Sequence, residues 1–260
     1  MPVCLTIAGL DPSGGAGVIA DIKAFRAFGC FGAAVVTSLT FQNTTGVFGA
    51  EHISAENVLR QAEPVFDDYT VAAVKTGMLP SGETVKTVSR LFAERGVTEL
   101  IVDPVVRSTS GFDLIDDGTL KVLIRELFPL ARLVTPNIPE AERITGIKIV
   151  DKESMEKAGR SIRSMGAENV LIKGGHAIQT DDDQRAIDTL FANDGVHSFE
   201  ADLIRTTATH GTGCTLSAAI AANLALGRSL EEAVDLSKQF VKEAIRQAPG
   251  LGHGHSPILA

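Results

Sequence analysis

The chain has 260 residues, a formal net charge of −8 and 44% hydrophobic residues. This length and apolar content suffice for one sizeable core, and the lack of a lysine- or arginine-rich block argues against nucleic acid as a partner. No apolar run approaches the roughly 20 residues of a membrane span, so we expect no membrane association. Three scattered cysteines without a CxxC pattern, and an N-terminus without a basic segment, predict a cytoplasmic protein with no signal peptide.

Short apolar runs alternate with longer segments of helical periodicity along most of the chain. The predicted strands are Val3–Ala8, Ala33–Leu39, Val71–Lys75, Leu100–Val102, Leu133–Val134 and Val170–Lys173. The predicted helices are Ala16–Phe28, Ala55–Phe66, Ser81–Arg95, Asp117–Leu127, Pro139–Ile144, Lys152–Met165, 213–226 and 230–246. A β-hairpin is expected where Ala186–Ala192 and Val196–Glu200 flank an Asn-Asp-Gly turn.

This alternation predicts an α/β fold, a three-layer α/β/α sandwich with a mostly parallel central sheet, in a single domain over residues 1–260. In open sheets of this kind, ligands bind beyond the carboxyl ends of the strands. Those ends carry the polar and glycine-rich segments Gly9–Gly17, Thr40–Asn43, Lys75–Met78, Asp103–Gly111, Thr135–Glu140 and Lys173–His176. We therefore expect the functional site along one rim of the sheet.

The segment Thr209–Cys214 stands directly before an uncharged helical run. Free backbone N–H groups and the positive end of a helix dipole make such a loop an anion site, most commonly for phosphate. The amides of Gly211, Thr212 and Gly213 could neutralise charge on a transferring phosphoryl group. Cys214 would be an acid/base at a position where a thiol pKa tends to fall, or else a small buried hydrophobe.

Two segments near the N-terminus each allow two interpretations. The loop Gly9–Gly17 follows a strand and opens a helix, but it matches neither the dinucleotide GxGxxG nor a P-loop. Asp11 and Asp21 could contact a polar substrate there, or they could be exposed acids at a plain turn. Gln42 offers the donor and the acceptor that suit a nitrogen heterocycle, although from the residues alone a polar turn is favoured.

Two segments at later strand ends also allow two interpretations each. Asn137 and Glu140 could serve Mg²⁺ through water, but from spacing alone a helix capping box is favoured, and both roles are compatible. Lys173 at the end of a buried strand could meet a nucleotide phosphate or simply extend to solvent. Asp181–Asp183 is interpreted as a solvated loop, and the glycines of Gly252–His255 favour a flexible tail over a metal site.

Seven motifs occur in a fixed order over almost the whole chain: Ala8–Gly17, Gln42–Thr44, Lys75–Leu79, Asp103–Val105, Thr135–Ala141, Lys173–His176 and Thr209–Thr215. Together they closely resemble the hydroxymethylpyrimidine/phosphomethylpyrimidine kinases of thiamine biosynthesis, in the ribokinase-like superfamily. The resemblance implies a ribokinase-like fold and ATP-dependent phosphorylation of 4-amino-5-hydroxymethyl-2-methylpyrimidine and of its monophosphate. It also implies Mg²⁺ as the cofactor, ATP as the co-substrate and a homodimer.

The resemblance further implies roles for single residues. The catalytic group would be Cys214 with Gly211, Thr212 and Gly213; the pyrimidine pocket would be lined by Gln42, Asp21, Gly9 and Met78; ATP would meet Lys173, Asn137 and Thr206; and the metal would be served by Glu140 and Asp103. A cysteine rather than an aspartate after the glycine loop resembles this family and not the sugar kinases.

Two alternatives remain open at this stage. The first is pyridoxal or pyridoxine kinase, and the second is a catalytically silent pyrimidine-binding sensor, against which the intact Lys173 and Glu140 argue. The chain departs from the family at Thr109, where a lysine is usual, and at Arg205, where an aspartate is usual. If that lysine binds a substrate phosphate, Arg107 would have to replace it in the second phosphorylation.

Overall fold

The computed structural model describes residues 1–106, 113–174 and 185–260. Within these ranges, nine strands form one sheet in the order β3-β2-β1-β4-β5-β6-β7-β8-β9. Their bounds are β1 Val3–Leu10, β2 Phe31–Asn43, β3 Gly46–His52, β4 Val71–Thr76, β5 Leu100–Val102, β6 Leu133–Val134, β7 Val170–Lys173, β8 Arg185–Ala192 and β9 Gly195–Asp202. The strands from β2 to β7 in this order are parallel, whereas β3, β8 and β9 pair antiparallel at the two edges.

Helices cover both faces of this sheet. Their bounds are α1 Gly17–Ala27, α2 Ala55–Asp68, α3 Gly82–Arg95, α4 Asp117–Leu127, α5 Ile138–Thr145, α6 Lys152–Ser164, α7 Thr212–Ala225 and α8 Leu230–Arg246, with a short 3₁₀ helix at Phe128–Leu130. One core cluster packs α2–α6 against the sheet, and a second packs α1, α7 and α8 against the other face. Successive residues of a strand point to opposite faces of the sheet, so in β1 Leu5 packs into the first cluster and Cys4 into the second. The three-layer α/β/α prediction is confirmed.

Local sequence signals account for where several helices begin. Side-chain oxygens of Ser54, Ser81 and Asp116 accept hydrogen bonds from the third helical residue of α2, α3 and α4. Ser229 forms a full capping box with Glu232 at the start of α8. None of the helices in the described ranges has the length and apolar character that a bilayer span requires.

The sequence-based prediction omits the edge strand β3 and makes β2 too short. Ala33–Leu39 was expected to be a short buried strand, but β2 continues to Asn43 and turns back at Thr44 into β3. The error has a physical cause, because an exposed edge strand such as β3 lacks a clear apolar pattern. Gln42 consequently lies at the end of a strand and not in a free loop.

Residues 251–259, named here the C-terminal strap, run from α8 across the rim of the sheet. The flexible tail expected for Gly252–His255 is wrong, because the structure fixes this segment by hydrogen bonds to Thr44. Farther along, the strap pairs with the loop before α7, and Leu259 N–H donates to Ala244 O at 3.1 Å. The strap thus connects the β2–β3 turn, the loop before α7 and the end of α8.

Candidate active site

A cavity of about 1000 Å³ lies at the carboxyl ends of the central strands. It opens between the loop after β1, the loop after β4 and the first turn of α7. The sequence-predicted site residues in its lining are Gly9, Gln42, Met78, Asp103, Asn137, Glu140, Lys173, Thr206, Gly211, Thr212, Gly213 and Cys214. The structure therefore brings together every site residue that the sequence predicts except Asp21, which does not line the cavity.

Asp21 is held away from the cavity surface. It lies on α1 and is fully buried, and both of its carboxylate oxygens accept hydrogen bonds from Lys75 Nζ at 2.8 and 2.9 Å. Thr6 Oγ1 donates to the same carboxylate at 2.6 Å. Lys75 lines the cavity and Asp21 does not, so Asp21 acts on the site through this ion pair and through its charge, which helps to raise the pKa of Cys214.

Lys75 is a functional candidate that sequence reasoning passed over. Burial lowers the pKa of this lysine, but the carboxylates of Asp21 and Asp103 outweigh burial and raise it, so the side chain stays cationic beneath the cavity. The sequence feature that could have identified Lys75 was a charged residue in the otherwise uncharged strand Val71–Thr76. Its partner could not be identified without knowing that α1 packs on β1, the strand that pairs with β4.

The first turn of α7 is the element in which the sequence predicts an anion site. The helix begins at Thr212, and its N-cap Gly211 has a φ of +81° and no side-chain capping bond. A Cβ atom on residue 211 would lie 1.7 Å from Gly15 O, so only glycine fits there. Thr212 N–H donates to Thr209 O at 3.4 Å. Because the N-cap Gly211 has no side chain that could accept from this terminus, we expect the other N–H groups of the first turn to be open to an anion in the cavity.

Cys214 stands in this first turn, but its thiol is not acidified. Burial raises the pKa of Cys214 to about 11; Lys75 acts in the opposite direction, and Asp103 reinforces the increase. The expectation of a lowered thiol pKa from the helix start alone is therefore wrong in the ligand-free site. Burial outweighs the lowering effects of the Lys75 charge and of the hydrogen bond from the Gly17 backbone.

Lys173 and Asp103 form a buried ion pair directly under the anion loop. Lys173 Nζ lies 2.9 Å from Asp103 Oδ1, and Ser217 Oγ donates to Asp103 Oδ2 at 3.2 Å. A Cβ atom placed on Gly213 would lie 3.2 Å from Lys173 Nζ, which locates the ammonium group beside the loop. The alternative of a lysine extending to solvent is wrong, since the side chain is only 13% exposed.

Asn137 and Glu140 form the predicted capping box of α5 and also face the cavity. Glu140 N–H donates to Asn137 Oδ1 at 2.9 Å, and Asn137 N–H donates to Glu140 Oε2 at 2.8 Å. Burial raises the pKa of Glu140 to about 7; Lys173 opposes this change and Asp103 adds to it. Burial disfavours the ionised form of this carboxyl group, and a cation bound beside it would stabilise that form.

The opposite end of the cavity is built from backbone and uncharged side chains. Gly9 and Met78 lie together, since a Cβ atom on Gly9 would stand 3.3 Å from Met78 Sδ. Thr37 Oγ1 donates to Met78 O at 2.6 Å and fixes the loop after β4. Within the described part of the chain, no hydrogen bond engages the side-chain amide of Gln42, which is therefore available to a ligand.

A second arm of the cavity extends between the ends of β8 and β9 and helix α8. Its walls include Leu203, Val241 and Ile245, together with the sequence-predicted Thr206. The sequence did not predict the nearby ion pair, in which Lys238 Nζ lies 2.6 Å from Asp188 Oδ2. This arm gives an apolar surface of a kind that an aromatic base could occupy.

Some positions singled out in the sequence cannot be placed. Arg107 and Thr109 fall in residues 107–112, and His176 and Asp181–Asp183 fall in residues 175–184, so both sets lie outside the described residues. Arg205, the other departure from the family pattern, lines the cavity next to Thr206.

Comparison with known proteins agrees with this geometry. A family model for phosphomethylpyrimidine kinase matches residues 11–259. The thiamine biosynthesis bifunctional protein ThiED of Geobacter sulfurreducens is 46% identical over 98% of this chain, which spans only 51% of that protein. The hydroxymethylpyrimidine/phosphomethylpyrimidine kinase of Staphylococcus aureus MSSA476 is 44% identical over 98% of this chain and 92% of its own length.

Solved structures show the same relationship. The phosphomethylpyrimidine kinase of Clostridium difficile 630 has a TM-score of 0.83 and 42% identity, covering 94% of this chain and 100% of its own. The S. aureus pyridoxal kinase in complex with AMP-PCP and pyridoxal has a TM-score of 0.88 and 31% identity, covering 99% of this chain and 93% of its own. These similarities confirm the ribokinase-like fold. The chain belongs to the phosphomethylpyrimidine kinase family.

Proposed function

We propose that the protein transfers the γ-phosphoryl group of ATP to the hydroxymethyl oxygen of 4-amino-5-hydroxymethyl-2-methylpyrimidine, and then phosphorylates the monophosphate, in thiamine biosynthesis. One observation carries this proposal. A single cavity joins an uncapped helix N-terminus, with Cys214 in its first turn, to an uncharged pocket at Gln42 and Met78. The names of the relatives that match almost the whole chain support the same reaction.

The phosphate end supplies charge neutralisation. The transferred group spreads negative charge over its oxygens, and fixed donors aimed at that charge lower the barrier. Lys173 and the amides of Gly211–Gly213 are donors of this kind, held in place before the substrate arrives. In-line transfer forms a bond from the hydroxymethyl oxygen to the γ-phosphorus, breaks the bond to the β,γ-bridging oxygen and releases ADP.

The carboxylates of Asp103 and Glu140 fit a magnesium ion. They are hard oxygen donors at one rim of the cavity, and a cation beside Glu140 would offset the burial that raises the pKa of this carboxyl group. Bound there together with ATP, Mg²⁺ would neutralise phosphate charge. Among the described residues, the only three-residue group of His, Cys, Asp or Glu with metal-ligand spacing is Asp194, His197 and Glu231. It lies at the β8–β9 turn, away from this cavity.

In this proposal Cys214 orients the acceptor hydroxyl group and accepts its proton. With its raised pKa, the thiol form orients the hydroxymethyl group, and the thiolate form, which Lys75 favours, accepts its proton. A loose phosphoryl-transfer transition state makes the proton transfer late, so a strong base is not required. Orientation is therefore the larger part of the role that we propose for Cys214.

We further propose that the protein acts as a cytoplasmic homodimer. The β2–β3 edge exposes Phe41 at 54% and Phe48 at 69%, which gives an apolar surface that a second copy could cover. Light scattering should give twice the mass of the chain. A monomer across micromolar concentrations would contradict this part of the proposal.

Pyridoxal kinase is the second candidate function, favoured by the fold similarity to a pyridoxal kinase in complex with pyridoxal. An ADP-release assay with the pyrimidine, its monophosphate and pyridoxal side by side separates the candidates. We expect the pyrimidine to give the highest kcat/KM, with turnover of its monophosphate. A highest value for pyridoxal would favour the second candidate. Tight pyrimidine binding without ADP release would favour a silent sensor.

A further inference from the structure

Asp11 and His210 join the two loops that build the cavity. Asp11 follows β1 in the glycine-rich loop, and His210 directly precedes the N-cap of α7. Asp11 Oδ2 lies 2.7 Å from His210 Nε2, and both side chains are nearly excluded from solvent. The contact bridges 199 positions of sequence, so it ties together segments that the chain does not otherwise connect.

The Asp11 carboxylate is fully engaged by the protein. Ser13 donates to Oδ1 through its backbone N–H at 2.8 Å and its hydroxyl at 2.7 Å, while Ala16 N–H donates to Oδ2 at 2.9 Å. Burial raises the pKa of Asp11, but hydrogen bonds from His210 and Ser13 outweigh burial and hold it below its usual value. With these bonds in place, Asp11 organises the loop and is not free to bind a substrate.

The two loops also lie in close contact around Asp11 and His210, a contact region that we call the joint. A Cβ atom on Gly15 would lie 2.3 Å from the His210 ring, and a Cβ atom on Gly211 would lie 1.7 Å from Gly15 O. Contacts this close leave no room for the loops to slide toward each other. The hydrogen bond between Asp11 and His210 prevents them from separating.

The C-terminal strap holds His210 from its other side. His210 N–H donates to Ser256 O at 3.3 Å, and residue 210 pairs with Pro257 in a β-bridge. The strap is anchored at Thr44, which accepts from the backbone N–H groups of residues 253–255 at distances from 2.8 to 3.4 Å. Thr44 stands two residues after Gln42, so one chain of contacts runs from the pyrimidine end to the anion loop.

We propose that His210 and Asp11 are positioning residues, which set the distance between the pyrimidine pocket and the anion-binding amides of Gly211–Gly213. This inference rests on the proposed phosphoryl transfer for its kinetic consequence. Neither side chain acts on the reacting atoms. A displacement of about 1 Å between the acceptor and the transferring group can reduce a rate by roughly 100-fold, so the pair controls turnover more than it controls ligand affinity.

Kinetics of two His210 variants test the positioning role. His210→Phe fills the space without a donor, and we expect kcat to fall about 100-fold, with the KM for ATP and pyrimidine each within about three-fold. His210→Gln keeps an N–H donor within reach of Asp11 and should recover at least ten-fold of that loss. Wild-type kcat in His210→Phe would overturn the proposal. So would a His210→Gln variant that folds normally and is as slow as His210→Phe.

Hydrogen exchange tests the joint independently of catalysis. In ligand-free protein, we expect His210→Phe to accelerate amide exchange at residues 211–216 at least ten-fold, and His210→Gln to leave it near the wild-type rate. His197→Phe is the matched control, because that histidine also contacts a carboxylate, Asp194, at 3.2 Å but stands at the β8–β9 turn. Unchanged exchange in His210→Phe would overturn the joint. A wild-type protein without kinase activity would overturn the proposed function and leave this exchange result standing.

Discussion

The two ends of the cavity are held in place by different forces. The proposed phosphate end contains buried ion pairs, Lys173 with Asp103 and Lys75 with Asp21. The pyrimidine end rests on an edge hairpin, with Gln42 near its tip and the strap attached through Thr44. We therefore expect that removing a charge at the first end lowers both the stability of the fold and the rate of phosphoryl transfer. Removing a polar group at the second end should disturb recognition alone.

The largest effect is expected at the phosphate end from Lys173→Met. Loss of a fixed cation should lower kcat/KM by about 10³-fold, and leaving Asp103 buried without its partner should reduce the free energy of unfolding by about 3 kcal/mol. Steady-state kinetics and urea denaturation measure the two effects. The double variant Lys173→Met/Asp103→Asn should regain stability but not activity. Activity within ten-fold of wild type in Lys173→Met would contradict the assignment.

Cys214→Ala should come next. Loss of the group that orients and deprotonates the acceptor should lower kcat about 100-fold, while the KM for ATP stays within about three-fold because the thiol does not serve ATP binding. Cys30→Ala, which removes a buried thiol outside the cavity, is the control and should keep the wild-type kcat. Wild-type turnover by Cys214→Ala would remove that residue from the mechanism.

Gln42→Ala sharpens the contrast at the pyrimidine end. Losing the amide contacts to the ring should raise the pyrimidine KM about ten-fold, the equivalent of one hydrogen bond of about 1.4 kcal/mol. The KM for ATP and the melting temperature should not change, since no described contact depends on this side chain. Gln239→Ala on the surface of α8 is the control. An equal rise of both KM values would mean that the two ends are not separable.

Glu140→Gln should have an effect of the opposite sign, a gain in stability. Because burial raises the pKa of Glu140 to about 7, its contribution to stability is present below its ordinary pKa and is lost as pH rises through 7. Glutamine cannot ionise, so the free energy of unfolding of the variant should exceed that of wild type by about 3 kcal/mol at pH 8 and match it near pH 4.5. Urea denaturation at both pH values measures this difference.

The control for that measurement is Glu156→Gln on α6, a half-buried glutamate outside the cavity that pairs with Arg160 on the same helix. This variant should differ little from wild type in the free energy of unfolding at both pH values. A Glu140→Gln variant that is less stable than wild type at pH 8 would mean that the carboxylate is well satisfied in the free protein. The case for a cation at this position would then lose its physical basis.

The proposed phosphate end could be predicted in part, because Asp103 directly follows β5 and Lys173 ends β7. Parallel strands end at one edge, so chain order alone places these two residues on one rim, and the loop at Gly211 is identified by its glycines before a helix. The capping box at Asn137 is likewise a local signal. The protonation state of Cys214 was predicted wrongly, because burial depends on everything packed around the thiol and not on its position in a helix.

The pyrimidine end and its supports could not be derived in this way. Residues that contact Thr44 lie more than 200 positions away, and they bind through backbone N–H groups that residue type does not reveal. The pairing of Asp21 with Lys75 also requires knowledge of which helix covers which strand. Contacts between His210 and Asp11 belong to the same class of long-range contact.

Phosphorus-31 NMR of the reaction mixture tests the central claim most directly, because it identifies where the phosphoryl group goes. With ATP, Mg²⁺ and the hydroxymethylpyrimidine, we predict a phosphomonoester resonance on the hydroxymethyl oxygen that grows at the same rate as ADP. Release of ADP with inorganic phosphate alone, or no change in the ATP resonances while the pyrimidine binds, would contradict the account.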